Sequence, residues 1–146
     1  MDAMLQTRSK EISPEKDSEG QDAEFYAKEL GKLLYDHRGI EVIAMDMRPL
    51  GFWTDFFVIA TVTSSTHLSG LDRHIKEYAR DNDLEITRRS RKLKAGIEHS
   101  STEHGADEWC LIDMGNIVIH LMSEKTRRFF ELERLWSAAP LVFQAI

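Results

Sequence analysis

Cysteine is almost absent from this chain of 146 residues, which contains one. A single cysteine excludes an internal disulfide framework and favours a reducing compartment. No run of about 18 apolar residues occurs, and the opening "MDAMLQTRSK" lacks the apolar core of a signal peptide. We therefore expect a soluble, cytoplasmic protein that makes no membrane contact.

A surplus of positive charge is also absent, because 25 acidic residues outnumber 19 lysines and arginines and leave a net charge of −6. Tight binding to naked nucleic acid depends on cations that neutralise phosphates, so this balance argues against a free-standing nucleic-acid binder. An acidic protein is better suited to a basic protein surface. The apolar content of 42% is enough to build the core of one domain.

Motifs for catalysis and metal binding are the third absence. The six histidines form no HExxH pattern, there is no CxxC pair, and "TVTSSTH" lacks the glycine that lets a phosphate approach the backbone. We predict no catalytic residue, metal or cofactor. The alternative is a Mg²⁺-dependent, nucleotidyltransferase-like enzyme that uses Asp46 and Asp55, with Asp113 as a further carboxylate. These aspartates do not form a close pair on one strand, which weighs against that alternative.

The order of predicted elements is one helix, two strands, a helix, three strands and a helix. This order indicates a single α/β domain with a mixed sheet of about five strands and flanking helices. Residues 1–20 are polar and aperiodic, which predicts a flexible tail, and we assign residues 21–139 to the domain and residues 140–146 to a C-terminal tail. Gly39 is the predicted end of the first helix, Ser64 or Ser65 the cap of the second, and Ser123 the cap of the third.

The segment "EWCLIDMGNIVIHLM", Glu108 to Met122, predicts a tight hairpin around the Gly-Asn pair. A two-residue loop fixes the register, so Cys110 lies opposite Leu121 and Ile112 opposite Ile119 on a wholly apolar face that belongs in the core. Cys110 is then inert core filler rather than a reactive thiol.

The second face of this hairpin mixes apolar and polar side chains. Trp109 lies opposite Met122, Leu111 opposite His120, and Asp113 opposite Val118, with Asp113 diagonal to His120 and within bridging distance. In the third helix, Phe129 falls on the apolar stripe with Leu132, whereas Phe130 points toward Trp109. Two interpretations remain open: a further helix covers this face, or the face is a protein-binding surface with aromatic anchors. A pairing of two copies through the same face is a further hypothesis.

The stretch "LEITRRSRKLKAGI" concentrates basic residues and predicts a short edge strand. One interpretation is a solvated edge that discourages aggregation. The other is an auxiliary contact with RNA phosphates through Arg88, Arg89 and Arg91.

Three segments resemble the Iojap family, which includes the bacterial ribosomal silencing factor RsfS and its organellar relatives. They are "DHRGIEVIAMDMRPLGFWTDFFVIATVTSSTHLSGLDRHI", "EWCLIDMGNIVIHLM" and "EKTRRFFELERLW". The resemblance implies a nucleotidyltransferase-like fold without catalytic motifs. It also implies a translation repressor that docks on the large ribosomal subunit, at its protein number fourteen, and sterically blocks joining of the small subunit.

The same resemblance assigns the docking surface to the second hairpin face and the helix that follows. The family positions match Trp109, Asp113, His120, Arg127 and Phe130, where the family usually has tyrosine at the last. With the neighbouring apolar residues, the predicted partner-binding set is Trp109, Leu111, Asp113, His120, Met122, Arg127 and Phe130. The chain departs from the family in the segment before the hairpin, which we leave out of this set.

Overall fold

A six-stranded mixed sheet organises the molecule. The computed structural model describes residues 22–90, 109–135 and 137–146. In chain order, the described elements are α1 (residues 22–36), β1 (Ile40–Asp46), a 3₁₀ turn (Arg48–Leu50), β2 (Phe56–Val62), α2 (Ser65–Asp81), β3 (Arg88–Ser90), β4 (Trp109–Asp113), β5 (Ile117–Ser123), α3 (Glu124–Phe130), α4 (Leu132–Leu135) and β6 (Leu141–Ala145). The strand order is β3-β4-β5-β2-β1-β6. The β2 and β5 strands pair in parallel and the other neighbours are antiparallel, which confirms the predicted mixed sheet.

The helix ends follow the predicted capping residues. Gly39 donates its backbone N–H to the Leu34 carbonyl at 2.7 Å, and a Cβ at Gly39 would lie only 2.8 Å from that oxygen. A side chain is therefore excluded at this turn. The Ser64 hydroxyl accepts the backbone N–H of His67 and caps α2, and the Ser123 hydroxyl caps α3 in the same way. Among the described helices, none is long and apolar enough to cross a membrane.

The hairpin has the predicted register. Trp109 pairs with Met122, Cys110 with Leu121, Leu111 with His120, Ile112 with Ile119, and Asp113 with Val118. Gly115 has a φ of 90°, which the first position of the two-residue loop requires and which favours glycine.

The first face of the sheet is covered by α1 and α2. Both helices present apolar stripes toward it, and Cys110 is buried on this face as predicted. The fully covered side chains of this layer include Ala27, Leu30, Leu34, Val58, Leu68, Leu71, Ile75, Ile112, Ile119 and Leu121. This thick layer is the main hydrophobic core.

The predicted C-terminal tail at residues 140–146 is wrong, because this segment contains β6. That strand pairs with β1 along the edge of the sheet, and it is the sixth strand where about five were expected. The Phe143 ring packs so closely on α1 that a Cβ at Gly31 would lie 2.7 Å from its Cδ2 atom. The domain therefore extends past residue 139, since β6 contributes both backbone pairing and an aromatic ring.

The predicted third helix is two short helices. Glu131 adopts a left-handed conformation with φ 47°, and its N–H bonds to the Arg127 carbonyl at 2.7 Å, which ends α3 before α4 begins. This break changes the direction of the side chains on either side. Leu132 is buried, whereas Phe129 is 66% exposed, so the prediction that Phe129 joins the apolar stripe is wrong.

Candidate functional site

The second face of the sheet has only a thin cover. The segment around α4 lies over it, and its buried residues are Ile43, Met45, Met47, Phe57, Ile59, Val118, Met122, Leu132 and Ala139. Four larger side chains pack at its margin and remain partly open to solvent, namely Phe52, Trp109, Leu111 and Phe130. The apolar surface of this face is therefore only partly enclosed by its own chain.

Seven rings run across this face in unbroken contact, and we call them the aromatic strip. Successive ring centroids are separated by 5.6, 5.5, 4.6, 6.0, 5.1 and 4.7 Å. In order, the rings are Trp53, Phe52, Phe57, His120, Trp109, Phe130 and Phe129. The two ends face solvent, since Trp53 is 61% and Phe129 66% exposed. The strip therefore exposes large rings at both ends, each in contact with a neighbouring ring.

Two of the seven rings, Phe52 and Trp53, come from the β1–β2 connection, and a third, Phe57, comes from the start of β2. Gly51 ends the 3₁₀ turn with φ 67°, and the chain then presents Phe52 and Trp53. Side chains alternate along β2, so Phe56 enters the first layer while Phe57 faces the strip. The cluster of aromatics in "GFWTDFF" was the available signal for these three missed residues.

Trp109 and His120 form the centre of the strip. The indole Nε1–H donates to His120 Nδ1 at 3.2 Å, across neighbouring strands. Because an indole nitrogen can only donate, Nδ1 must be the acceptor and the imidazole is neutral. Burial lowers the pKa of His120 to about 3, which agrees with this assignment.

Four members of the predicted partner-binding set are inside the fold. Trp109, Leu111 and Phe130 are half-buried and keep solvent-facing surface. In contrast, the structure buries the side chains of Asp113, His120, Met122 and Arg127. The prediction that these four side chains contact a partner directly is therefore wrong, because their own chain covers them. Their role is to support the fold from inside.

Arg127 ties three parts of the fold together. Its Nε and Nη2 atoms donate to Glu133 at 2.8 and 2.7 Å, and Nη1 donates to the Thr61 hydroxyl at 2.9 Å and the Ile40 carbonyl at 3.4 Å. These bonds connect α3 to α4, β2 and β1. The guanidinium thus holds the thin cover in place beside the strip.

Asp113 does not bridge to His120 as predicted. Its Oδ1 atom accepts the backbone N–H of Gly115 at 2.8 Å, while His120 is engaged by Trp109. The carboxylate therefore closes the hairpin turn, a local role that aspartate favours.

Asp46, one of the aspartates of the enzyme hypothesis, is held by Arg48. Its two carboxylate oxygens accept from the Arg48 backbone N–H, Nε and Nη2 at 3.0, 2.9 and 2.8 Å. The side-chain hydrogen bond from Arg48 is the main reason that the pKa of Asp46 lies below its usual value. An adjacent guanidinium disfavours a bound cation, and within the described ranges no three histidine, cysteine or acidic side chains are placed to hold a metal.

The predicted basic edge is only partly within the described residues. Arg88 and Arg89 lie on β3, which is an edge strand as predicted, and the Arg88 side chain is exposed. Arg91 lies outside the described residues.

Comparison with known proteins identifies the family. The family model described as "Ribosomal silencing factor during starvation" (RsfS) matches residues 20–145. The chain belongs to the RsfS family. This confirms the resemblance stated from the motifs, and the match runs past residue 139 into β6.

RsfS relatives of several lineages align with most of the chain. The ribosomal silencing factor of Bacillus subtilis is 29% identical over 106 residues, which span 73% of this chain and 80% of the relative. That of Treponema pallidum is 33% identical over 111 residues, or 75% of this chain and 88% of the relative. A mouse protein named "Mitochondrial assembly of ribosomal large subunit protein 1" is 31% identical over 118 residues, which span 79% of this chain and 46% of that protein.

Two solved structures support the fold. A crystal structure from Bacillus halodurans is 26% identical with a TM-score of 0.55, covering 77% of this chain and 92% of that one. A second, from Chromobacterium violaceum, is 22% identical with a TM-score of 0.58, covering 82% and 85% of the two chains. The α/β architecture is therefore shared with known structures.

Proposed function

We propose that this chain is a translation repressor that binds the large ribosomal subunit through the aromatic strip. We assign the contact to protein number fourteen of that subunit. The bound chain then occupies space that the small subunit needs, so joining fails. It acts in the compartment that holds the ribosomes, which is the cytoplasm in a bacterial cell.

The observation that carries this proposal is the strip with its two exposed ends. Protein interfaces are enriched in aromatic residues, and a few large, well-held rings supply most of the binding free energy. Trp53 and Phe129 are exposed, yet each packs against a less exposed ring, Phe52 and Phe130 respectively, that limits its motion. Membership in the RsfS family supports a ribosomal partner, and the net charge of −6 suits a basic protein surface.

Sedimentation with purified large subunits tests the docking face. Trp53→Ala and Phe129→Ala should each weaken binding more than about fivefold, because each removes an anchor worth more than about 1 kcal/mol. Phe25→Ala is the matched control, since Phe25 is 56% exposed on α1, which covers the first face of the sheet. Wild-type co-sedimentation of both strip variants would show that the docking face lies elsewhere.

Mixing the two purified subunits tests the steric mechanism separately. Wild-type protein should lower the fraction of whole ribosomes in a sucrose gradient, and Trp53→Ala should lower it less. If the protein binds large subunits fully and whole ribosomes still form, the blocking mechanism is wrong even though the docking is right.

We further infer an auxiliary contact between the β3 edge and ribosomal RNA phosphates. The exposed side chain of Arg88 on an edge strand supports it, together with the neighbouring Arg89 and Arg91 in the sequence. Replacing the three arginines with glutamine should reduce the dependence of log binding constant on log salt by about one for each phosphate that is no longer neutralised. An unchanged salt dependence would remove RNA from the proposal.

A further inference from the structure

His120 lies beside the Trp109 indole, with ring centroids 6.0 Å apart, and is almost fully covered, with 4% of its surface exposed. Its Nδ1 atom accepts the indole N–H, so the single proton of the neutral imidazole is on Nε2. The Nε2 atom is buried, and no protein group in the described part of the chain accepts a hydrogen bond from it.

An imidazole is a poor choice for this position if only stability of the fold matters. A buried N–H without an acceptor is unfavourable, whereas leucine or phenylalanine would fill the same space without a polar atom. The residue that does occupy this position must therefore contribute through its other nitrogen. That nitrogen holds the indole.

We propose that His120 is a positioning residue that fixes the orientation of Trp109 on the aromatic strip for docking. The inference rests on the proposed function, because it assumes that Trp109 contacts the partner. The imidazole is itself fixed, since β5 holds its backbone in the sheet and the Phe57 ring packs against it at 4.6 Å. The indole is thereby held by a hydrogen bond on one side and by Phe130, at 5.1 Å, on the other.

Without the hydrogen bond, packing alone restrains the indole. A half-buried ring then samples several orientations, and binding must restrict it again. An acceptor held at the Nδ1 position restricts the indole before binding, so less conformational entropy is lost when the partner binds. Burial also keeps His120 neutral, so the acceptor is present across the physiological pH range.

The test uses two variants of His120 that differ in one property. His120→Leu removes the acceptor and keeps an apolar side chain, whereas His120→Asn places an amide oxygen near the former Nδ1 position. His120→Leu should weaken binding to large subunits about fivefold, the effect of one hydrogen bond, and His120→Asn should recover most of it. The unfolding temperature of His120→Leu should not fall below that of wild type.

Nuclear magnetic resonance of the indole N–H provides a readout that a purely structural role would not move. The Trp109 Nε1 proton should resonate upfield and exchange faster with water in His120→Leu than in wild type. Trp109→Phe keeps a ring but lacks the donor, so His120→Leu should cause no further loss of binding in that background.

The outcomes separate the two proposals. If Trp109→Ala, Trp53→Ala and Phe129→Ala all bind large subunits like wild type, the docking face is wrong. If Trp109→Ala alone binds like wild type, the face stands and the positioning role is overturned. If Trp109→Ala weakens binding but His120→Leu does not, only the positioning role is overturned. An equal loss from His120→Leu in the wild-type and Trp109→Phe backgrounds also overturns it, because the effect would then not pass through the indole N–H.

Discussion

The Arg127–Glu133 pair makes an asymmetric prediction about stability. The Arg127 side chain is 7% exposed and Glu133 is 38% exposed, so one charge of the pair is buried and the other reaches solvent. Removing Glu133 leaves a buried guanidinium without its carboxylate. Removing Arg127 leaves a carboxylate that water can solvate. The more exposed residue should therefore be the more damaging one to mutate.

The magnitudes follow from the contacts. Breaking a fully buried ion pair by removing one partner costs about 3 to 5 kcal/mol, and exposure of Glu133 reduces this to about 2 kcal/mol for Glu133→Ala. Methionine fills the space of the apolar stem of Arg127, so Arg127→Met loses mainly the hydrogen bond to the Thr61 hydroxyl. We expect this to lower the free energy of unfolding by about 1 kcal/mol. The double variant should have about the same stability as Arg127→Met, since no buried guanidinium without a carboxylate partner remains.

Urea denaturation followed by circular dichroism measures these differences. The midpoints should fall in the order wild type, Arg127→Met and then Glu133→Ala, with unchanged slopes. Greater destabilisation by Arg127→Met than by Glu133→Ala would refute the reasoning.

Two further predictions concern packing and pH. Gly31→Ala should lower stability by about 1 kcal/mol, because overpacking against Phe143 exceeds the gain in helix propensity, whereas Gly70→Ala, with open space around its Cβ, should raise stability by up to about 1 kcal/mol. Thermal denaturation of both variants checks this, and equal shifts would contradict the packing argument. Because the folded-state pKa of His120 is lowered to about 3, the unfolded chain binds its proton first, and stability should fall as pH drops below about 6.5. From pH 7 to pH 5 wild type should lose about 2 kcal/mol more than His120→Leu, and parallel pH profiles of the two would contradict a buried neutral imidazole.

Local rules predicted the hairpin because its geometry depends on few residues. A two-residue loop and period-two alternation leave only one register that buries Cys110 and Ile112 on a single face. Helix caps were predictable for the same reason, since Ser64 and Ser123 bond to N–H groups three residues away. Information within a few residues was enough for these elements.

Pairing between strands that are distant in the sequence could not be predicted from such local rules. The β6 segment "LVFQA" lacks alternation and follows Pro140, so it resembled a tail, and its partner β1 lies about a hundred residues earlier. The end of α3 at Glu131 carries no glycine or proline signal, and apolar spacing continues through it. Tertiary packing, which buries Leu132 and turns Phe129 outward, decides that break.

The candidate site also combines residues that sequence patterns predicted with residues that they missed. Of the five residues that match family positions, Asp113, His120 and Arg127 are buried and support other parts of the fold, whereas Trp109 and Phe130 keep solvent-facing surface. The most exposed rings of the strip, Trp53 and Phe129, lie within the quoted segments but were not part of the predicted partner-binding set. Part of such a motif therefore consists of internal residues that support a surface from below, since an internal residue has several contacts to satisfy at once. The rings that face solvent have fewer contacts within the fold. If the proposed docking is right, differences among relatives at these positions should follow the partner surface rather than the fold.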